Sequence, residues 1–335
     1  MHYAVGEGIG RMTTILVTGG SGFIGTNLIE SLLELDQTTL VNLDTSEPKI
    51  SSHKPFWRPC DLVDAQTVLQ SFREFNPEVV VHLGGRTDMF GNTLEDYAAN
   101  HEGTANVVRA IQQSPGVKRV VFTSSQFVVS PGSLPESDLE FRPHTIYGQS
   151  KVESEKAVRA AELACVWTII RPTNIWGRWH PRYPTEFWRV LKQGRYIHPG
   201  GESVRRCYGY VGTVVEQIQK ILISDPSLVD RTVFYVGDAP IDLLDWTNAF
   251  SLELTGRPVR VVPRAALRSI AMLGDVVNTF GGKFPLFSSR YRSMTENYVT
   301  PMEKTFERLG MPTTSLQQGV KNTTDWLRST DPFWR

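Results

Sequence analysis

A glycine repeat between a strand pattern and a helix pattern constrains the fold of this chain more than any other feature. Gly19, Gly22 and Gly25 are spaced three residues apart within TGGSGFIG. The preceding segment, 13–19, is a short apolar run that predicts a buried strand, and 23–35 has the pattern of a helix. Glycine permits a sharp turn after the strand and close packing of the helix on the sheet. The segment therefore predicts the first strand and helix of an α/β sheet.

Short apolar runs continue to alternate with helical patterns along the first half of the chain. Near-continuous apolar strands separated by helices indicate a parallel sheet that is covered on both faces. With right-handed crossovers this is a doubly wound, Rossmann-type α/β fold. The further predicted strands are 38–44, 77–85, 118–125 and 166–172.

The pattern changes after Pro172, where Trp, Arg, Pro and Gly become frequent and the alternation is lost. A strand at 232–236 is then predicted to return to the sheet. We expect a nucleotide-binding domain followed by a smaller, discontinuous lobe that binds the substrate. The expected division is a flexible extension over 1–12, a Rossmann domain over 13–175 with return segments at about 207–240, and a substrate lobe from 176–206 and 241–335.

The helix after the glycine repeat and an acid after the second strand together indicate a cofactor. A helix begins with free N–H groups and the positive end of its dipole, and both attract phosphate. Asp44 ends the second predicted strand, where a carboxylate binds ribose hydroxyls and repels a 2′-phosphate. These features predict a dinucleotide site that takes NAD rather than NADP. The alternative is a glycine turn with an incidental aspartate.

Composition limits the partners. Lys+Arg and Asp+Glu both number 35, so the net charge is zero and does not favour nucleic acid or an anionic membrane. No apolar run reaches the roughly 18 residues of a membrane-spanning helix. The three cysteines form no CxxC pair and no cluster with histidines, so no metal site is predicted. Their sparse use favours a reducing, cytoplasmic location.

A second motif follows in IYGQSKVESEKAV. Tyr147 and Lys151 are four residues apart on a predicted helix, which places them one turn apart on the same face. An ammonium near a tyrosine hydroxyl lowers its pKa, and such a tyrosine can act as a general acid or base. Many Tyr-x-x-x-Lys pairs are only solvated helix surface. Here a predicted strand ending in TSSQ (123–126) lies just upstream.

Taken together, these motifs resemble the extended short-chain dehydrogenase/reductases, and within them the NAD-dependent epimerase/dehydratase group that acts on nucleotide sugars. The resemblance covers roughly residues 13–330. It implies Ser125 as the catalytic serine, Tyr147 as the catalytic base, and Lys151 as the partner of Tyr147 and a ligand of the nicotinamide ribose. The cofactor-binding positions that it implies are Gly19, Gly22, Phe23, Ile24, Gly25, Asp44, Asp61, Leu62, Leu83, Gly84, Gly85, Tyr147 and Lys151.

Some of these positions have alternative interpretations. Asp61 matches an acid that contacts adenine, but it could instead cap a helix over 62–73. Gly84 and Gly85 match a loop where small residues let the cofactor lie flat. Asn100 matches a structural asparagine near the site, and His82 is interpreted as a strand histidine that is satisfied inside the protein.

The resemblance also implies how a substrate diphosphate is bound. Asn174, in RPTNIWG, and Arg206, in VRRCYGYV, match residues that hold this group, and Ser125 binds the reacting hydroxyl. A guanidinium suits the role because it binds two phosphate oxygens at once. Arg205 is the alternative in register, and Arg292 is a weaker second candidate. Solvated surface is the other interpretation of Arg206 and Arg292.

One departure from the resemblance affects the expected reaction. Dehydratases of this group carry Asp-Glu after the serine pair, whereas this chain has Gln126-Phe127 and lacks that acid–base pair. We therefore expect a nucleotide-sugar epimerase, in which the substrate is oxidised to a keto-sugar by NAD and re-reduced on its other face. The alternatives are a net oxidoreductase of a keto-sugar or another secondary alcohol, and a noncatalytic NAD-binding regulator. Family members commonly dimerise through helices at about 96–113 and 147–163 here, so a homodimer is expected.

Overall fold

The computed structural model describes residues 13–35, 38–282 and 284–335, so the extension expected over 1–12 lies outside the described residues. This part of the chain forms thirteen strands and twelve α-helices. The strands are β1 (Thr13–Thr18), β2 (Thr38–Asp44), β3 (Trp57–Pro59), β4 (Val79–His82), β5 (Arg119–Thr123), β6 (Val166–Pro172), β7 (Asn174–Trp176), β8 (Ile197–Pro199), β9 (Arg205–Arg206), β10 (Tyr208–Tyr210), β11 (Thr232–Val236), β12 (Ile241–Asp242) and β13 (Arg260–Val262). The helices are α1 (Phe23–Leu32), α2 (Ala65–Phe75), α3 (Ala98–Gln112), α4 (Ile146–Ala160), α5 (Arg189–Lys192), α6 (Val211–Ile223), α7 (Pro226–Val229), α8 (Leu243–Thr255), α9 (Arg264–Thr279), α10 (Ser288–Ser293), α11 (Glu303–Leu309) and α12 (Leu316–Thr330).

Seven parallel strands form the central sheet, in the order β11-β6-β5-β4-β1-β2-β3. The chain runs outward from β1 to β3 on one side and then crosses to β4 on the other side. The strand order therefore reverses between β1 and β4, the point where ligands bind at the carboxyl ends of open parallel sheets. This confirms the predicted doubly wound α/β fold.

Two apolar layers cover the faces of the sheet because successive strand residues point to opposite sides. Leu16 of β1 packs in the layer that includes α2, α3 and α4, whereas its neighbour Val17 packs in the layer that includes α1 and α6. Both side chains are fully buried. Burial of such a side chain contributes about 1.5–3 kcal/mol to stability, so the strand and its two helix layers form together.

A third apolar cluster is aromatic and consists of residues that follow the change of pattern at Pro172. Tyr208 and Trp246 stack at 4.2 Å between ring centroids, and Trp176, Trp188 and Phe250 pack around them. Short strand pairs, β7 with β10, β8 with β13 and β9 with β12, support this region. The division of the chain into a Rossmann domain and a substrate lobe remains a prediction.

The helices expected to mediate a dimer are α3 and α4, which pack against one another. The homodimer remains a prediction. Across the described ranges, no helix combines the length and the apolar character needed to cross a membrane.

Candidate active site

The carboxyl ends of β1 and β4 meet through glycine backbone. Gly19 has a φ of +70°, in the left-handed region, and a Cβ at this position would lie 2.6 Å from the Cα of Gly84. A Cβ at Gly25, on the first turns of α1, would collide with the carbonyl oxygen of Gly19. Side chains at these positions would force the two strand ends and the helix apart. The glycines therefore let the ends of β1 and β4 and the start of α1 pack closely, with only backbone between them, at the point where the strand order reverses.

This closely packed backbone at the carboxyl ends of the strands fits a dinucleotide. Gly22 is the N-cap of α1, and no side chain caps the helix, so its first N–H groups remain available to phosphate oxygens. Asp44, at the end of β2, accepts a hydrogen bond from the N–H of Ser21 at 3.0 Å and one from the N–H of Ser46 at 2.9 Å. These bonds fix the carboxylate beside the glycine turn and leave lone pairs for ribose hydroxyls.

The remaining cofactor positions line the same end of the sheet. The Phe23 ring contacts the His180 ring edge-on at 4.9 Å between centroids, and Ile24 is half-buried against two of the apolar clusters. Leu62 is buried with its side chain against Gly84, and Leu83 is half-buried.

Asp61 is exposed and accepts a hydrogen bond from the N–H of Val63 at 3.0 Å. The interpretation of Asp61 as a helix cap is wrong, because α2 begins at Ala65 and Asp64 caps it. Asp64 accepts hydrogen bonds from two N–H groups of the first turn. The Asp61 carboxylate is therefore left at the surface, beside the buried Leu62.

Asn100 fastens the loop after β4 to α4. Its Oδ1 accepts from the N–H of Arg86 at 2.7 Å, and its Nδ2 donates to the Arg86 carbonyl at 3.0 Å and to the Ser150 hydroxyl at 2.9 Å. Gly85, one residue earlier, has a φ of +156°, and a Cβ there would lie 3.4 Å from the Lys151 ammonium. The loop thus passes over Lys151 as bare backbone.

His82 is held inside the sheet, as interpreted from the sequence. Its Nδ1 lies 2.7 Å from the Thr18 hydroxyl, and its Nε2 lies 2.9 Å from the Thr104 hydroxyl. Burial, assisted by the nearby Lys151 ammonium, lowers the pKa of His82 to about 3. The ring is therefore neutral and connects β1, β4 and α3.

Ser125 and Tyr147 come together at the carboxyl end of β5. Both are buried, and the Ser125 hydroxyl accepts from the N–H of Phe127 at 3.2 Å. Burial raises the pKa of Tyr147 above its ordinary value, and a hydrogen bond with the Ser125 side chain partly opposes this rise. The rings of Tyr97 and Phe127 flank the Tyr147 ring, each at 5.9 Å between centroids. The Tyr147 hydroxyl is thereby shielded and held next to Ser125, an arrangement in which a tyrosine can act as a general acid or base.

Lys151 lies one turn further along α4 and donates to the Thr123 carbonyl at 3.0 Å. Burial lowers its pKa to about 8, and the Glu155 carboxylate partly opposes the shift. Among the described residues, the Lys151 ammonium makes no hydrogen bond to the Tyr147 hydroxyl. The ammonium is anchored at the strand end and faces Gly85. The pKa of Tyr147 is governed mainly by burial.

The predicted diphosphate ligands have unpaired polar atoms. Asn174, in β7, has a buried Nδ2 without an acceptor, and Arg206, in β9, has a buried Nε without one. The rest of the Arg206 guanidinium hydrogen-bonds the Tyr208 side chain. Arg206 makes no ion pair with any carboxylate of the described residues. Its neighbour Arg205 is exposed and donates to the Pro240 carbonyl. Arg292 is exposed on α10 and pairs with Glu296 at 3.7 Å. No hydrogen bond or ion pair of the described residues links it to Asn174 or Arg206.

Two further residues lie next to Ser125: Gln126, noted in the sequence as a departure from the dehydratases, and Tyr298, which the sequence did not indicate. Gln126, immediately after Ser125, is fully buried, and neither polar atom of its amide has a partner in the described chain. Tyr298 donates through its hydroxyl to the Gln126 carbonyl at 3.1 Å and to the Val129 carbonyl at 2.7 Å. Its strand-like backbone also bridges to Arg206. The position of Gln126 directly after Ser125 indicated that it lies near the site, whereas Tyr298 belongs to no motif that would have predicted its position.

The fold, the glycine turn and the buried serine–tyrosine pair define an NAD-dependent enzyme of the extended short-chain dehydrogenase/reductase type. A family model described as the NAD dependent epimerase/dehydratase family matches residues 15–237. The chain belongs to this family, and NAD is its cofactor.

Known relatives include enzymes named for two kinds of reaction. The chain is 32% identical over 285 residues to a 3-beta-hydroxysteroid dehydrogenase of Mycolicibacterium neoaurum, covering 79% of this chain and 74% of that one. It is 30% identical over 213 residues to the N-acetyl-alpha-D-glucosaminyl-diphospho-ditrans,octacis-undecaprenol 4-epimerase of Escherichia coli, covering 61% of this chain and 62% of that one.

Solved structures share the fold. The UDP-glucose 4-epimerase of Thermotoga maritima, solved with UDP-glucose, superposes with a TM-score of 0.73 at 21% identity and covers 95% of this chain and 99% of its own. The UDP-glucuronic acid 4-epimerase of Bacillus cereus, solved with UDP-glucuronic acid and NAD, superposes with a TM-score of 0.72 at 18% identity. It covers 95% of this chain and 100% of its own.

Proposed function

We propose that the protein is an NAD-dependent epimerase whose substrate is a nucleoside-diphosphate sugar. The observation that carries this proposal is a pair of buried donor atoms without acceptors, the Asn174 Nδ2 and the Arg206 Nε. A buried donor without an acceptor costs free energy, and an anionic ligand would remove that cost. A diphosphate supplies several acceptor oxygens and the negative charge that no described carboxylate provides to the Arg206 guanidinium.

The reacting residues would then divide the chemistry among them. Tyr147 takes the proton of the sugar hydroxyl and later returns it, while the Ser125 hydroxyl orients the same oxygen. Lys151, held at the Thr123 carbonyl, provides the positive charge that favours the Tyr147 phenolate and binds a ribose hydroxyl. When bound, NAD supplies the hydride acceptor and donor. Inversion requires that the sugar turn over before the hydride returns.

Gln126 and Phe127 favour epimerisation over dehydration. A carboxylic acid at these positions would be needed to protonate a leaving hydroxyl, and neither an amide nor a phenyl ring can do so. The relative from Escherichia coli is named as a 4-epimerase of a diphosphate-linked sugar, which agrees with an anionic group on the substrate.

A net dehydrogenase of an uncharged secondary alcohol is the second candidate. The relative from Mycolicibacterium neoaurum carries such a name, and the rings of Tyr97 and Phe127 beside Tyr147 would suit an apolar substrate. That substrate would leave the Arg206 Nε and the Asn174 Nδ2 without acceptors. We therefore rank the sugar diphosphate first.

Proton NMR of the purified protein with UDP-, GDP-, dTDP- and CDP-sugars, without added cofactor, tests the proposal. An epimerase converts one of them to an equilibrium mixture without consuming nicotinamide. Conversion only with stoichiometric NAD, or turnover of a hydroxysteroid alone, would support the dehydrogenase instead.

An arginine pair provides the matched control for the substrate site. Arg206→Met should raise KM for the sugar diphosphate at least tenfold, since a charge-assisted contact contributes about 1.5–3 kcal/mol. Arg205→Met, which removes an exposed guanidinium one residue away, should leave KM close to that of the unchanged enzyme. Equal effects of the two substitutions would argue against a diphosphate at Arg206.

We also propose that the enzyme acts in the cytoplasm as a homodimer formed through α3 and α4. Light scattering coupled to size-exclusion chromatography measures the mass directly. A monomer at micromolar concentration would contradict the dimer.

A further inference from the structure

Helix α9 is apolar on the face that it turns away from the protein. Its inner face consists of Leu267, Ala271 and Gly274, which are buried. With about 3.6 residues per turn, the residues between these positions project outward, and a solvated helix would place polar residues there. Apart from Arg268, Ser269 and Thr279, the large exposed side chains are instead apolar: Ile270 (40% exposed), Met272 (58%), Leu273 (58%), Val276 (53%) and Phe280 (86%).

The segment around this face carries a concentrated positive charge. Between residues 257 and 293 the sequence has six arginines, one lysine and a single acid, which gives a net charge of +6. The whole chain is neutral, so the remainder carries −6. On α9 itself Arg264 and Arg268 lie one turn apart on one edge of the helix, beside the apolar face. Arg264 donates to the Gly200 and Glu202 carbonyls, whereas Arg268 is exposed.

The apolar face belongs to an ordered hairpin. Asp275 of α9 accepts from the N–H of Ser288 at 3.0 Å, and Asn278 accepts from the N–H of Phe284 at 2.6 Å. Gly274 lies directly under Leu286, where any side chain would collide with the Leu286 carbonyl. These contacts hold α9 against the chain through its inner face, so the outer apolar side chains are presented outward together.

We infer that the outer face of α9, with the basic residues around it, docks on an anionic membrane surface. Apolar side chains enter the boundary between headgroups and acyl chains, and the arginine side chains lie along that boundary with their guanidinium groups among the phosphates. A helix of this kind lies in the plane of the membrane and does not cross it. The expectation of no membrane partner was based on the neutral charge of the whole chain, which does not show the local excess of positive charge around α9.

The charge distribution favours a membrane over a second copy of the chain. In a symmetric dimer the same surface faces itself, so two segments with a charge of +6 each would be brought together. An anionic lipid surface neutralises them instead, and each basic residue near it contributes to binding. The docking does not depend on which substrate the enzyme converts.

Flotation with lipid vesicles tests the inference on the full-length protein. Vesicles of phosphatidylcholine alone are compared with vesicles of phosphatidylcholine mixed equally with phosphatidylglycerol. The protein should float with the mixed vesicles, stay behind with phosphatidylcholine alone, and be released by salt. In a variant with both Leu273→Ser and Phe280→Ser, the partition coefficient for the mixed vesicles should fall by about tenfold or more. Binding scales with the apolar area that enters the membrane, and this variant removes part of that area.

Matched variants separate charge from apolar contact. Arg260→Gln with Arg268→Gln should lower the partition coefficient by about fivefold per charge. Ile223→Ser with Leu252→Ser removes two exposed apolar side chains from α6 and α8 and should leave flotation unchanged. The inference is overturned if the unchanged protein does not float with mixed vesicles, or if the α6 and α8 variant loses as much binding as the α9 variant. It is also overturned if sedimentation shows a dimer that the α9 variant dissociates, since the face is then a protein interface.

Discussion

At the scale of single residues, the proposed reaction depends on the Tyr147 hydroxyl. Tyr147→Phe removes this hydroxyl and keeps the ring between Tyr97 and Phe127. We expect kcat to fall by about 10²–10⁴-fold, the usual contribution of a positioned acid or base. Turnover is measured by NMR on the sugar that the unchanged enzyme converts. NAD binding and Tm should stay close to those of the unchanged enzyme, and full turnover in this variant would exclude Tyr147 as the proton carrier.

Lys151 should set the alkaline limit of the reaction. Because burial lowers its pKa to about 8, the Lys151 side chain is fully protonated well below pH 8 and loses its charge as the pH rises through 8. Without that charge the Tyr147 phenolate is disfavoured, so kcat should fall above about pH 8.

Two arginine substitutions on α4 test this assignment. In Lys151→Arg the fall should move to higher pH, because a guanidinium keeps its proton far above pH 8. Lys156→Arg changes an exposed lysine of the same helix and should leave the pH profile unchanged. An unmoved midpoint in Lys151→Arg would mean that another group titrates.

At the scale of elements, the start of α2 separates a structural acid from a ligand. Asp64→Ala removes the carboxylate that accepts hydrogen bonds from two N–H groups at the start of α2, and it should lower Tm slightly. Asp61→Ala leaves the cap intact and should weaken NAD binding with little change in Tm. Thermal denaturation and NAD titration of both variants check this pair. A lower Tm in Asp61→Ala with unchanged NAD affinity would reverse the two roles.

The elements also show how far the sequence predicts the fold. The strands predicted at 38–44, 166–172 and 232–236 coincide with β2, β6 and β11, because each is an apolar run buried on both faces of a parallel sheet. The strands of two or three residues beyond Pro172 were not predicted. They are too short to show a periodicity, and partners distant in the sequence hold them, as β8 does with β13.

The candidate site was predictable to a similar extent. The glycine repeat, Ser125 and Tyr147 belong to local motifs, and each motif fixes its own backbone. The inward position of Arg206 depends on the pairing of β9 with β12, and the two carbonyls bound by Tyr298 lie 169 and 172 residues away in the sequence. Residues so far apart in the sequence form no motif of fixed spacing, so their contact cannot be predicted from one sequence. The apolar outer face of α9 was hidden for a related reason, since a helical pattern does not tell which face is covered.

At the scale of the whole molecule, Tyr298 connects the substrate end to the reacting residues. Its backbone N–H donates to the Arg205 carbonyl at 3.0 Å, and its carbonyl accepts from the N–H of Cys207 at 3.1 Å, on either side of Arg206. Its hydroxyl meanwhile holds the turn that follows Ser125. The residue thus ties the proposed diphosphate ligand to the serine that orients the reacting hydroxyl.

Tyr298→Phe should therefore affect stability and substrate use together. It leaves the Gln126 and Val129 carbonyls without this buried donor, so the free energy of unfolding should decrease by about 1–3 kcal/mol, as measured in urea. The turn after Ser125 is then free to shift relative to Arg206, so kcat/KM for the sugar diphosphate should fall several-fold while NAD affinity is retained. Tyr291→Phe is the matched control, because its hydroxyl makes no hydrogen bond within the described chain, and it should change stability by less than about 0.5 kcal/mol. A loss of stability in Tyr298→Phe with unchanged kcat/KM would show that the tyrosine joins the two regions without aligning them.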